Sequence, residues 1–185
     1  MTFPVITDRL CLRRFTPEDL IAYRAYHQLP EVYRYLYASP PEPEQLANQL
    51  SSAINSALNN DGDTLYYAVT LKESQTLIGE VLLKLASQAA LQAEIGYIFN
   101  PAYAGKGYAS EAVEAVLAQG FTEGGFHRIF ARLDANNQGS IGIVERLGMR
   151  KEAHFRQNDR FNGQWGDEFV YALLKQEYDV SRTIV

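Results

Sequence analysis

Two glycines, Gly105 and Gly107, stand between a strand-like segment that ends at Phe99 and a helix-like segment that begins at Ala109. The first backbone N–H groups of a helix have no partner within the helix, and they lie at the positive end of its dipole. Both properties favour a bound phosphate, and glycines let a pyrophosphate approach the backbone closely. The turn therefore predicts a phosphate site, with a plain strand-to-helix connection as the alternative.

Two common phosphate motifs fit this turn poorly. The P-loop requires a glycine five residues before Gly105 and a Ser or Thr after Lys106, but Asn100 and Gly107 occupy those positions. The dinucleotide fingerprint G-x-G-x-x-G fits the two glycines, but Ser110 replaces its third glycine. That fingerprint also belongs to βαβ units, whereas the strands before this turn have the pattern of hairpins. A nucleotide-dependent oxidoreductase is therefore the weaker interpretation.

Several short motifs follow one another in a fixed order. Residues 94–97 read E-I-G-Y, residues 101–112 read P-A-Y-A-G-K-G-Y-A-S-E-A, and residues 137–149 read N-Q-G-S-I-G-I-V-E-R-L-G-M. This ordered series resembles the GCN5-related N-acetyltransferase (GNAT) superfamily, and within it the branch typified by ribosomal-protein N-terminal acetyltransferases. The opening T-D-R-L-C-L-R at residues 7–13 is similar to the usual start of that branch. The resemblance thus covers nearly the whole chain.

The resemblance implies a fold and an activity. The expected fold is α+β, with a mixed, mostly antiparallel central sheet flanked by helices and two central strands that splay apart to hold acetyl-CoA. The expected enzyme moves an acetyl group from acetyl-CoA to a primary amine by direct attack in a ternary complex. The amine is a protein N-terminus, a polyamine or another small amine. A catalytically silent CoA-binding sensor or binding module of the same fold is the alternative. Residues 1–185 are expected to form this single domain.

By the same resemblance, backbone amides around the glycine turn bind the pyrophosphate, and the preceding strand pairs with the pantetheine arm as an added strand would. Asn137 resembles a residue that hydrogen-bonds this arm, with a helix cap as its other interpretation. Lys106 either adds a positive charge at the pyrophosphate or points to water. Ala102 departs from the family pattern, which often has Gln or Arg at this position. The residues predicted to bind acetyl-CoA are Tyr97, Ile98, Phe99, Gly105, Lys106, Gly107, Tyr108, Ala109, Asn137 and Ser140.

Three residues are candidates for proton transfer. Ser140 resembles a residue near the thioester sulfur, where its hydroxyl would protonate the leaving thiolate, with helix capping as the alternative. Glu94, which begins a central strand, and Glu152, which follows the turn at Gly148, are the candidate bases. An ordinary exposed carboxylate is the alternative for each of them.

A tyrosine-rich stretch falls where this branch builds the wall that faces the acceptor. Aromatic faces attract ammonium groups, so such a wall would hold an amine. Packing in the core or on the surface is the alternative for each of these side chains. The tyrosines are Tyr23, Tyr26, Tyr33, Tyr35 and Tyr37.

Hydrophobic periodicity and turn residues predict the elements that position these groups. Residues 16–19, T-P-E-D, are a strong helix start, since Thr caps, Pro occupies the first helical position and acids fill the first turn. The predicted helices span residues 16–28, 44–58, 109–121 and 137–148. The predicted strands span residues 9–14, 65–71, 76–85, 91–99, 127–134, 150–157 and 165–174.

Composition narrows the class of protein. The chain has 185 residues, 46% of them hydrophobic, which predicts a globular domain with a sizeable core. A net charge of -5 disfavours nucleic acid as a partner. The sequence has no long apolar run or secretory signal, so we expect a cytoplasmic protein without a membrane span. One cysteine and three scattered histidines predict no metal site. The pattern leaves monomer and homodimer open.

Overall fold

A computed structural model of the protein describes residues 1–183, so the last two residues of the predicted domain, 184 and 185, lie outside the described part. The strands are β1 (Val5–Ile6), β2 (Leu10–Arg13), β3 (Thr64–Leu71), β4 (Leu77–Ser87), β5 (Gln92–Phe99), β6 (Arg128–Asp134), β7 (Arg150–Phe161) and β8 (Gln164–Leu174). The α-helices are α1 (Leu20–His27), α2 (Pro30–Tyr33), α3 (Pro43–Ile54), α4 (Tyr108–Thr122), α5 (Gln138–Arg146) and α6 (Lys175–Thr183).

The strands form one 8-stranded sheet in the order β1-β2-β3-β4-β5-β6-β8-β7. All neighbouring strands are antiparallel except β5 and β6, which are parallel. Parallel neighbours need a crossover, and α4 supplies it between these two strands. The sheet is therefore mixed and mostly antiparallel, as the sequence predicted, and the α+β class is confirmed.

The parallel pair β5 and β6 separates after one short stretch of pairing. Only Gln92–Glu94 of β5 pairs with Arg128–Phe130 of β6. Beyond this point β5 continues to pair with β4 as far as Phe99, and β6 continues to pair with β8 as far as Asp134. The two strands thus splay apart, as predicted, and each presents one unpaired edge to the gap between them.

The direction of the backbone groups in β5 follows from one hydrogen bond at its end. The N–H of Asn100 donates to the carbonyl oxygen of Ile78 on the β4 side, at 2.9 Å. Because successive N–H groups of a strand point to opposite sides, those of Phe99 and Tyr97 point away from β4. Both therefore face the gap between β5 and β6.

Helices cover both faces of the sheet. On one face α4 buries a stripe against the strands, because apolar residues recur every three or four positions. On the other face α1 and α3 bury Tyr26 and Leu50 near Ala68 of β3. The core thus lies in two layers. The sequence predicted a stripe that begins at Ala109, but Ala109 is only half-buried, and Gln119 is buried although it was not predicted. The other predicted residues of the stripe are buried, namely Ala112, Val113, Val116, Leu117, Gly120 and Phe121.

Several element boundaries differ from the prediction. The helix predicted over residues 44–58 ends at Ile54, where Asn55 bonds the carbonyl oxygen of Ser51 through its side chain. The strand predicted to end at residue 157 continues to Phe161. The elements β1, α2 and α6 were not predicted, because the first two are too short to show periodicity and α6 is mostly polar.

Candidate active site

A cavity of about 690 Å³ opens at the gap between β5 and β6. Its walls come from the end of β5, the glycine turn, the first turns of α4 and α5, and the segment around α2. We call the part near α4 and α5 the donor end. We call residues 30–37, which form the opposite side, the acceptor wall. The predicted acetyl-CoA residues that line the cavity are Tyr97, Ile98, Phe99, Gly105, Gly107, Tyr108, Ala109, Asn137 and Ser140.

The donor end centres on the start of α4. Gly107 caps the helix with a left-handed φ of 80°, and Gly105 has a φ of 75°. The first hydrogen bond within the helix runs from the N–H of Glu111 to the carbonyl oxygen of Gly107, at 3.1 Å. The N–H groups of residues 107–110 therefore precede the helical ladder and have no acceptor within it.

The space in front of these amides is open. A Cβ built on Gly105 would meet no atom within 4 Å, and one on Gly107 would meet only the Arg9 guanidinium, at 3.4 Å. The backbone thus forms a concave surface with several N–H groups at the positive end of a helix dipole. This arrangement fits the pyrophosphate of acetyl-CoA.

The glycine turn is fixed by residues of the connection between β1 and β2. The Arg9 guanidinium donates to the carbonyl oxygen of Lys106 at 2.8 Å and to the Glu111 carboxylate at 2.7 Å. Thr7 donates to the same carboxylate at 2.6 Å. Burial opposes ionisation of Glu111, but these hydrogen bonds hold its pKa below the usual value. The negative charge beside the phosphate surface is therefore partly balanced by Arg9.

Lys106 does not line the cavity. Its ammonium lies 5.6 Å from the ring centroid of Tyr103, and its side chain is exposed. The structure favours the interpretation in which this lysine points towards water, and the backbone supplies the donor end.

Asn137 and Ser140 lie together at the start of α5. The side-chain oxygen of Asn137 accepts the N–H of Ser140 at 3.1 Å, so Asn137 is the helix cap that the sequence offered as its second interpretation. The Tyr97 hydroxyl donates to the carbonyl oxygen of Ser140 at 3.0 Å, which ties β5 to α5 across the gap. Burial raises the pKa of Tyr97 well above its usual value, so this donor keeps its proton. Asn137 and Ser140 also line the cavity.

Arg146 lines the cavity, although the sequence did not predict it to bind acetyl-CoA. Its guanidinium donates to the Ser110 hydroxyl at 3.3 Å, across the start of α4. It follows Ser140 by six residues and Ile143 by three, and residues three apart share one face of a helix. This spacing indicates which face of α5 carries Arg146, but not which element that face meets.

The two predicted bases lie away from the cavity. Glu152 pairs with Arg128 and Arg150, each at 2.6 Å, and these two partners lower its pKa. Glu94 is within the paired part of β5, between Lys84 and Phe130. Neither is among the described residues that line the cavity. Their surroundings are those of ordinary strand carboxylates, the alternative interpretation for each residue.

The predicted tyrosine stretch divides between core and cavity. Tyr23 and Tyr26 are buried in the layer under α1, where Tyr26 donates to the carboxylate of Glu80 at 3.2 Å. Core packing is therefore correct for these two tyrosines. Tyr33 is buried against His27, whereas Tyr35 lines the cavity. The cavity residues of the acceptor wall are Glu31, Val32, Tyr35 and Leu36.

Among residues 1–183 no helix combines the length and the apolar character that a bilayer crossing requires. The same residues include no group of three or more His, Cys, Asp or Glu side chains placed to hold a metal ion.

Known proteins resemble this chain in sequence. Residues 9–150 match the family described as an acetyltransferase (GNAT) domain. The chain is 33% identical over 177 residues to the uncharacterized N-acetyltransferase YnaD of Bacillus subtilis strain 168, and the match covers 95% of this chain and 99% of that protein.

Solved structures share the fold. A GNAT-family acetyltransferase from Bacillus anthracis superposes with a TM-score of 0.85 at 30% identity, covering 95% of this chain and 100% of the other. The spermidine N-acetyltransferase from Vibrio cholerae, solved in complex with CoA and spermine, superposes with a TM-score of 0.80 at 23% identity, covering 93% and 99% of the two chains. At this lower identity the likeness shows the fold alone.

Proposed function

The chain belongs to the GNAT family of acetyl-CoA-dependent N-acetyltransferases, and from this premise we propose that its cavity passes the acetyl group directly to a primary amine. The observation that carries the proposal is the gap between β5 and β6, where unpaired strand edges meet the open amides at the start of α4. A long, partly peptide-like thioester fits this combination. Its pyrophosphate would lie at the helix and its pantetheine arm along the strand.

The donor is held mainly by main-chain groups. The N–H groups of residues 107–110 face the pyrophosphate, and Arg146 adds a positive charge at the same end. The N–H groups of Tyr97 and Phe99 face the gap, where they pair with the pantetheine amides as an added strand would. An N–H donor in this position also stabilises the oxyanion that forms at the thioester carbonyl.

The transfer needs no acyl-enzyme. Cys11 is the only cysteine, and it is buried within β2. The neutral amine nitrogen attacks the thioester carbonyl, the carbon–sulfur bond breaks, and the thiolate leaves with a proton. Ser140 lines the cavity at the start of α5, so its hydroxyl is our candidate for that proton donor. Water takes the proton that the amine loses, and solvent returns a proton to Ser140, so the serine hydroxyl is restored. The predicted bases Glu94 and Glu152 lie away from the cavity.

The acceptor is proposed as a class, the primary amines. Glu31 provides a carboxylate on the acceptor wall, and Tyr35 provides an aromatic face. Both attract an ammonium group before it is deprotonated. A peptide α-amine has a pKa near 8, against about 10.4 for an alkyl amine, so it needs less help to lose its proton. The motif resemblance supports a peptide N-terminus, and a polyamine is the other acceptor, since the Vibrio cholerae structure has this fold in complex with CoA and spermine.

Two measurements on the intact chain test the proposal. The first is the shift in Tm with acetyl-CoA, CoA or NAD, since a ligand at 100 times its Kd adds about 2.7 kcal/mol to the free energy of unfolding. We expect a rise with both CoA forms and none with NAD. The second is thiol release from acetyl-CoA with spermidine, spermine and a short peptide that begins with serine.

The outcomes separate the possible functions. A rise in Tm with CoA together with amine-dependent thiol release supports the transferase. A rise in Tm without thiol release from any amine supports the CoA-binding sensor instead. The absence of any shift with CoA would remove the basis of both.

A further inference from the structure

The acceptor wall has little regular structure of its own. Pro30–Tyr33 forms a single helical turn, α2, and the chain continues through turns as far as Tyr37. Yet Tyr35 and Leu36 line the cavity, and Leu36 is 43% exposed. A segment with so few internal hydrogen bonds must be positioned by contacts from other elements.

One of these contacts reaches back to α1. The Tyr33 hydroxyl lies 2.7 Å from Nδ1 of His27, a residue that is only 2% exposed. The His27 ring packs against Tyr23, with 4.0 Å between the ring centroids. This contact fixes the first half of the acceptor wall to the core.

The second half is fixed by Tyr37. Its hydroxyl donates to the carboxylate of Asp134, the last residue of β6. Its backbone has a φ of 51°, in the left-handed region that a tyrosine rarely adopts. Such a conformation persists only where the surrounding contacts determine it strongly.

Gly166 of β8 makes room for this tyrosine. A Cβ built on Gly166 would overlap the phenol of Tyr37. The φ of Gly166 is not in the left-handed region, so the glycine is required by the close approach of the ring and not by its own backbone. Three features therefore fix the position of Tyr37. They are its hydrogen bond to Asp134, its strained backbone and the space left by Gly166.

We propose that Tyr37, Asp134 and Gly166 form a clasp that fixes the acceptor wall to β6 and so positions the amine opposite the thioester. This inference rests on the proposed function and concerns positioning residues, since none of the three lines the cavity. The clasp joins the wall to one of the two strands that form the gap. It thereby sets the distance between the acceptor and the bound donor.

Asp134 links the clasp to the donor end as well. Its carboxylate accepts the N–H of Asn136 at 2.7 Å, and its carbonyl oxygen accepts the N–H of Asn137 at 3.0 Å. The turn that leads into α5 and Ser140 is thus built on the same residue. Burial and the neighbouring Asp134 raise the pKa of Tyr37, so its hydroxyl stays protonated and keeps donating at neutral pH.

Hydrogen exchange on the intact chain tests the clasp without knowledge of the acceptor. We expect Tyr37→Phe to speed amide exchange severalfold in residues 30–37, because the wall loses one of its two attachments. The matched control is Tyr67→Phe, which also removes one hydrogen bond, from Tyr67 to Gln119 in the core, away from the cavity. Wall exchange equally slow in both variants would overturn the proposal.

Steady-state kinetics with spermidine and with the serine peptide give a second test. We expect Tyr37→Phe to raise the KM for the amine about fivefold and to leave the KM for acetyl-CoA unchanged, as loss of one hydrogen bond in the wall would do. Asp134→Asn should also raise the KM for the amine, because a single amide oxygen cannot accept from both the Tyr37 hydroxyl and the N–H of Asn136. Equal changes in both KM values would indicate a general structural role and contradict the clasp.

A double-mutant cycle isolates the part played by Gly166. Gly166→Ala should raise the amine KM more than Tyr37→Phe does, because the new Cβ displaces the whole ring. In a Tyr37→Ala background the same substitution should have little further effect. An additive result would show that Gly166 acts by another route. If the chain binds no acetyl-CoA at all, the proposed function fails, while the exchange result still decides whether the clasp exists.

Discussion

The two ends of the cavity are built in different ways. At the donor end, main-chain N–H groups of contiguous residues form the surface, and the helix cap joins Asn137 to Ser140, 3 residues apart. At the acceptor end, side chains hold the wall, and the bond from Tyr37 to Asp134 joins residues 97 apart. A surface made of backbone depends on a few glycines and a helix start, whereas one made of side chains depends on packing across the fold.

This difference affects how each end responds to substitution. Changing an ordinary side chain at the donor end leaves the N–H groups in place, so only changes that block or distort the backbone should remove binding. At the acceptor end both attachments described above are made by side chains. A single substitution there should therefore shift the acceptor wall only partly and should not abolish the site. The two ends can therefore be separated by the parameter that each variant alters, the affinity for acetyl-CoA or the KM for the amine.

The largest effect is expected for Gly107→Val. Valine is strained at a φ of 80°, and its branched side chain would enter the space in front of the helix start. We expect acetyl-CoA binding, measured by calorimetry, to fall below detection. Gly125→Val is the matched control, since Gly125 has a φ of 65° with open space around it, beyond the other end of α4. Unchanged affinity in Gly107→Val would show that the turn is only a connector.

Ser140→Ala tests the point at which the two ends meet. If the hydroxyl protonates the leaving thiolate, its removal should lower kcat about 100-fold and change the Kd for acetyl-CoA much less. Ser140→Thr keeps a hydroxyl and should recover part of the rate. Parallel losses in kcat and in donor affinity would assign Ser140 to binding or to folding.

A smaller effect is expected for Arg146→Ala. Its guanidinium is exposed and lies beside Ser110, so its attraction for phosphate is screened by solvent. We expect the Kd for acetyl-CoA to rise about fivefold at low salt and less at high salt, with the amine KM unchanged. Arg160→Ala removes the same charge from the hairpin of β7 and β8 and should leave the Kd unaltered. If the Kd for acetyl-CoA is the same as wild type in both variants, donor binding is assigned to the backbone alone.

Local patterns in the sequence predicted the donor end and most of the fold. The glycine turn, the stripe of α4 and the alternation in the strands each lie within a short window, and one hydrophobic period describes each of them. The splayed pair of strands came from the resemblance of the ordered motifs. Arg146 was missed because its role depends on α5 facing α4, a contact between helices that spacing alone does not show.

The acceptor end was harder to predict for a physical reason. Five tyrosines of one stretch have three different environments, and the structure separates Tyr26 in the core from Tyr35 in the cavity. Their environments are set by His27, Glu80 and Asp134, which lie on other elements. The left-handed backbone of Tyr37 is one that tyrosine rarely adopts, so a prediction based on local propensity cannot give its conformation.

Glu152→Gln has the smallest expected effect, and it tests whether the ion pairs of Glu152 belong to either end of the cavity. Its partners Arg128 and Arg150 lower the pKa of Glu152 below the ordinary 4.5, so its contribution to stability is present above pH 4.5 and is lost as the pH falls through the lowered value. Because the carboxylate is partly exposed, we expect Tm at pH 7 to fall by only about 1–3 °C. The difference from wild type should shrink below pH 4.5, and kcat should not change at any pH. A fall in kcat at neutral pH, absent from the companion variant Glu94→Gln, would make Glu152 the base after all and extend the active site beyond both ends of the cavity.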